Sequence, residues 1–175
     1  KLGKLKNEFI SAYLQLLQHN CPKDITVKQI VKQANTSRST FYTYFESKEQ
    51  LQEQVKQLVQ HQFMTFYSKG EQSMDGHKTT LALCQHILKY RAFYHYVFQD
   101  ANEIRFMSDE LTTRLLEVYN DKDYAIFASY GTIGYLKNWV EEGFVISPIE
   151  AAEKLMKIGF TDWTHGIREK VSHLS

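Results

Sequence analysis

The chain has little that would staple, break or anchor it. Only two of its 175 residues are cysteines, Cys21 and Cys84. They stand far apart in no CxxC or Cys/His ligand spacing, which argues against a disulfide framework or a zinc site and fits a reducing cytoplasm. Only Pro22 and Pro148 interrupt the backbone, and neither falls inside a stretch with helical periodicity. No apolar run approaches the roughly 20 residues needed to span a bilayer, and no apolar segment with a cleavage site opens the chain, so neither a membrane protein nor an exported one is expected. Catalytic signatures are missing too: there is no GxSxG, GxGxxG, P-loop or Ser/His/Asp ordering. His61, His77, His86 and His95 form no HExxH-like arrangement, and Asp121 and Asp123, at i and i+2, suit a helix N-terminus better than a shared catalytic face. The expectation is a protein that is not an enzyme and needs no metal or cofactor.

Aromatic residues are plentiful, with eleven Phe, eleven Tyr and two Trp, so a compact, aromatic-rich interior is expected rather than disorder. Residues 1–60 carry a net charge of +4 and the remainder −3. A basic first third ahead of an acidic remainder suits a polyanion-binding head on a body that does not touch the polyanion.

Periodicity reads as all-α throughout. Leu2, Leu5, Phe9, Ala12 and Leu16 make one apolar stripe on a first helix ending near Gln18. Thr26 and Gln29 form a capping-box pattern, and Val27, Ile30, Val31 and Ala34 give the face of a short second helix. Asn35 and Thr36 turn the chain, and Ser37 caps a third helix with Phe41 and Phe45 on one face. Ser47 and Gln50 repeat the capping box and open a long helix to about Ser68. After a linker at Lys69 to Gly76, helices are expected at His77 to Tyr90, Arg91 to Gln99, Ser108 to Asn120, Asp121 to Glu142 and Pro148 to Val171. The domain division that follows is 1–46 as a helix-turn-helix head and 47–175 as a body, with helix 47–68 connecting the two.

Two short helices joined by a tight turn, the second capped by Ser and lined by small polar side chains, are what reading a DNA major groove requires. Phe41 and Phe45 would anchor the recognition helix, leaving Arg38, Ser39, Thr40 and Thr43 to face base edges. Arg38 carries the best specificity chemistry, because a guanidinium fork pairs bidentately with guanine. Thr26, Lys28, Tyr42, Tyr44 and Lys48 would surround the reader with donors aimed at phosphates, alongside the Ser37 cap. Taken singly, each has a plainer role: Thr26 and Ser47 as caps, Tyr42 and Tyr44 as packing residues, Lys48 as a solvated charge.

As a whole, T-V-K-Q-I-V-K-Q-A-N-T-S-R-S-T-F-Y-T-Y-F-E-S-K-E-Q-L closely resembles the DNA-binding signature of the TetR family of bacterial regulators. Many members have Gly after the Ala, where this chain has Asn35, a residue that tolerates left-handed backbone. The segment from Tyr130 to Ala151, Y-G-T-I-G-Y-L-K-N-W-V-E-E-G-F-V-I-S-P-I-E-A, is similar to a stretch that several such regulators carry before their last helix. The resemblance implies a three-helix DNA-binding head on a helical effector-binding and dimerisation body. It further implies binding to double-stranded operator DNA as a homodimer through the last two helices, and repression relieved by a small molecule. An alternative is control by a protein partner, with activation. Gly131 and Gly134 support a closely packed terminal helix. For the effector, Phe63, Tyr67, His86, Tyr90, Tyr94, Tyr130 and Trp139 come from four expected helices. If these converge, they enclose an apolar space with a few polar handles, suited to a hydrophobic or aromatic ligand, unless the rings fill that space themselves.

Overall fold

The structure is a computed structural model that describes residues 2–67 and 76–159. The described residues form nine α-helices and no strand: α1 (Leu2–Leu17), α2 (Val27–Gln33), α3 (Arg38–Tyr44), α4 (Lys48–Thr65), α5 (Gly76–Lys89), α6 (Arg91–Val97), α7 (Ala101–Tyr119), α8 (Lys122–Glu141) and α9 (Pro148–Gly159). A 3-10 turn at Pro22–Asp24 follows α1. The expected linker up to Asp75 and the part of the last helix after Gly159 lie outside the described residues.

Local chemistry sets most boundaries. Thr26 and Gln29 close the full reciprocal capping box of α2, and Ser37 and Ser47 cap α3 and α4 by accepting the N–H groups of Thr40 and Gln50. The box at Ser47 is displaced by one residue, because the Gln50 side chain accepts from the Glu46 N–H rather than from Ser47. Between α2 and α3 the turn depends on Asn35 at φ 50°, a left-handed conformation in which asparagine is among the few tolerated side chains.

One expectation needs correction. The helix expected to begin at Ser108 begins at Ala101, capped by Asp100, whose carboxylate accepts the Asn102 N–H. Ser108 lies buried in the middle of α7 with its hydroxyl donated back to the Ile104 carbonyl at 2.8 Å, a bond that lets serine sit inside a helix.

In the head, α1 packs on α2 and α4, and α2 packs on α3. Phe9 is the hub. Its ring meets Phe41 at 5.4 Å and Phe45 at 5.9 Å, both edge to face, and all three are buried. The expected α1 stripe is rotated toward Phe9, Ile10, Ala12, Tyr13 and Leu17, since Leu16 is only half-buried. In the body α7 lies along α8 and α5 along α9. Helix α4 joins the parts, and Glu103 of α7 receives both the Lys56 ammonium and the Gln60 amide at 2.9 Å.

Candidate nucleic-acid interface

Between Ile25 and Phe45 the chain carries Lys28, Lys32 and Arg38 and not one carboxylate. Burying Phe41 against Phe9 fixes which side of α3 faces inward, and the opposite side presents Arg38, Ser39, Tyr42 and Thr43 to solvent. Thr26, Lys28 and Ser37 are exposed beside them, whereas Thr40 and Tyr44 are half-buried. Tyr44 leans on Phe9 at 5.9 Å, which makes it partly a packing residue.

The hydroxyls of α3 are already engaged. Ser37 Oγ lies 2.9 Å from Ser39 Oγ and 2.8 Å from Thr40 Oγ1, and the Thr43 hydroxyl donates to the Ser39 carbonyl at 3.1 Å. A hydroxyl whose proton is engaged can donate to a phosphate or base acceptor only by giving that bond up, but its lone pairs can still accept from a base donor. Arg38 and Lys28, by contrast, have no hydrogen-bond or ionic partner among the described residues. They are the side chains with most to gain from an external anion.

Lys48 has an internal role that sequence reasoning did not foresee. Its ammonium donates to the Lys23 carbonyl at 3.1 Å and reaches the Pro22 carbonyl at 3.5 Å. Gln52, one turn on, donates to the same Pro22 carbonyl and to the Tyr13 hydroxyl. Together they dock the start of α4 on the 3-10 turn, a contact across about 30 residues of chain that no local spacing signals. An ammonium has three donors, so Lys48 keeps capacity for an outside anion while holding the turn.

The seven residues expected around an effector divide. Phe63, Tyr67, His86, Tyr90 and Tyr94 do come together: Phe63 lies 6.0 Å from Tyr67 and 6.4 Å from Tyr94, and His86 lies 4.9 Å from Tyr90. His86 Nε2 meets the Tyr94 hydroxyl at 2.8 Å, and the nearby Val59 backbone favours the charged imidazole only in small part against its burial. Burial lowers the imidazole to about 4 and raises the Tyr67 and Tyr94 phenols, and it pushes the neighbouring Cys84 thiol up to about 12. Phe66, which sequence reasoning left out of this group, meets His86 edge to face at 5.6 Å. Tyr130 and Trp139 stand elsewhere. The exposed Tyr130 donates to Asp109 at 2.7 Å, and buried Trp139 donates to the Ile146 carbonyl at 3.0 Å with its ring on Phe144. The rings that do gather pack on one another.

A family signature described as "Bacterial regulatory proteins, tetR family" matches residues 9–55, which hold the head and the first turns of α4. A second, described as "Transcriptional regulator C-terminal region", matches residues 75–159. Among curated proteins none matches the chain. Several solved structures share its fold. The dihydroxyacetone kinase operon activator DhaS is 18% identical over 89% of this chain and 93% of its own, with a TM-score of 0.67. A TetR transcriptional regulator from Streptococcus agalactiae 2603V is 23% identical over 90% and 94%, at 0.61. A TerR/AcrR-family transcriptional regulator from Aquifex aeolicus VF5 is 16% identical over 86% and 95%, at 0.69.

Proposed function

Because the chain belongs to the TetR family of bacterial regulators, we propose that it binds a two-fold symmetric operator in the cytoplasm as a homodimer and represses until an effector alters the spacing of its two heads. The observation that carries this reading is α3 itself: a capped helix locked by Phe41 on Phe9, with Arg38 on its outer side, unpartnered among the described residues, and no carboxylate between Ile25 and Phe45. In this reading residues 1–46 are the reading head and 47–175 the body. Arg38, Ser39, Thr40 and Thr43 face bases, while Thr26, Lys28, Ser37, Tyr42, Tyr44 and Lys48 hold phosphates.

Dimerisation through the last two helices is supported by α8. Phe127 and Tyr130 are 61% and 47% exposed on the single chain. Gly131 and Gly134 share that side, and a Cβ at either would meet nothing within 4 Å. Their small size therefore answers to no neighbour within the described chain and suits close approach by a second copy.

Control by a hydrophobic effector among Phe63, Tyr67, His86, Tyr90 and Tyr94 requires those rings to part, and Tyr130 and Trp139 join only by rearrangement. The filled packing of this cluster favours a second reading in which a protein partner, not a ligand in the body's core, governs the regulator, with activation as its outcome. A gel shift with the upstream region of its own operon tests the first proposal. Retarded DNA released by a hydrophobic compound supports repression by ligand, whereas retardation altered only by a co-purifying protein supports the second reading.

A further inference from the structure

A groove of about 950 Å³ runs between α1, α4 and α7, away from the aromatic cluster. Its apolar floor is made by Ile10, Leu58, Met64 and Phe106, of which Leu58 and Phe106 are 38% and 56% exposed. Lys6 and Arg114 bring positive charge and His61 an imidazole, against Glu110 as the single carboxylate of the lining. Lys6 and His61 have no partner among the described residues. Arg114 Nε is shielded from solvent yet makes no hydrogen bond; Glu110 Oε1 lies 3.5 Å away, an ion pair without hydrogen-bond geometry. A buried guanidinium N–H left without an acceptor is costly, and a carboxylate is the acceptor its fork matches best.

We infer that this groove is an effector site for a small amphipathic carboxylate, with its apolar body on Leu58, Met64 and Phe106 and its anion between Arg114 and Lys6. The size favours a small molecule over a partner's helix. Gln54 and Met64 bound it along α4, about 15 Å apart at helical rise, which fits a chain of some ten carbons and is far short of a stable protein interface. The site straddles the head and the body, since α1 holds Phe9 against the recognition helix and α7 belongs to the body. A ligand bridging them favours one head orientation over others, which is the differential affinity that a switch needs. The inference rests on the reading of the chain as an effector-controlled DNA-binding regulator.

Calorimetric titration of the full chain with decanoate, below its micelle concentration, and with decanol as the neutral match tests the site without DNA. The expected result is saturable binding of decanoate, much weaker binding of decanol, and a loss of roughly tenfold or more in decanoate affinity in both Arg114→Gln and Lys6→Gln. Lys137→Gln, a cation on α8 outside the groove, should bind as the parent does. Lys6 lies on the surface of α1, so its variant separates lost binding from lost folding. Equal binding of decanoate and decanol, binding indifferent to both groove substitutions, or no saturable binding overturns the inference; the last outcome leaves the groove to a protein partner. In a second arm, decanoate should lower affinity by roughly tenfold, within the usual range of allosteric coupling, for a duplex that the chain itself enriches from a random pool. Bound decanoate without that effect overturns the effector role. Failure to enrich any duplex contradicts the regulator reading, separately from the binding result.

Discussion

Arg38 opens the recognition helix and Lys48 opens α4, and the two answer to different partners. Arg38 is exposed and unpartnered among the described residues, so Arg38→Ala should leave folding intact while erasing the preference for one base pair, at a cost of about 1–3 kcal/mol in discrimination. Lys48→Ala should weaken binding to every sequence alike and reduce the salt slope by about one. Because Lys48 also holds the Lys23 carbonyl, a small fall in Tm should accompany it. Binding isotherms on matched and mismatched duplexes at several salt concentrations separate the two, and an exchange of their effects would refute the assignment. His86 gives a pH signature. Its folded value, lowered by burial to about 4, lies below the ordinary 6.5, so the unfolded chain takes up the proton first. Stability is full above pH 6.5 and falls as pH drops toward 4, by up to about 1.4 kcal/mol per pH unit. Urea unfolding at about pH 7 and pH 5 should show this loss, and His86→Asn should flatten it.

At the scale of the element, capping is what the sequence made most legible. Thr26, Ser37 and Ser47 act over three residues, so spacing alone places the starts of α2, α3 and α4. The same locality sets the cost of removing one. Thr26→Ala, which loses the side-chain half of the box while the backbone N–H at 26 keeps its bond to Gln29, should lower stability by about 1 kcal/mol in denaturant titration and weaken DNA binding in step. Legibility stops where the signal is not local. Ser108 reads as a helix start until α7 is seen to begin at Ala101 and the Ile104 carbonyl to hold the Ser108 hydroxyl inside it. Phe144 at φ 60° has no sequence signature of a left-handed residue; its place after Gly143 is fixed by a hydrogen bond to the Trp139 carbonyl and by its ring on Trp139. Tyr130 and Trp139 left the aromatic cluster because periodicity gives which residues share a face of one helix, not how that helix is rotated against its neighbours.

For the whole molecule, the aromatic face of α8 and the basic, carboxylate-free stretch of the head lie on different parts of one chain, and symmetry is what would join their roles. A single head offers too little surface for tight recognition, whereas two related by a two-fold axis read paired half-sites. Phe127→Glu places a charge on the proposed dimer face. Sedimentation should show the parent as a dimer and this variant as a monomer, with operator affinity falling in parallel; a monomeric parent would refute the proposal. The central claim is that α3 reads DNA in two symmetric copies, and selection of bound duplexes from a random pool by the full chain tests it most directly. The account predicts enrichment of an inverted repeat with half-sites about one helical turn or more apart, and loss of one conserved base pair per half-site when Arg38→Ala repeats the selection. Enrichment of no sequence, or the same repeat recovered unchanged by Arg38→Ala, would contradict it.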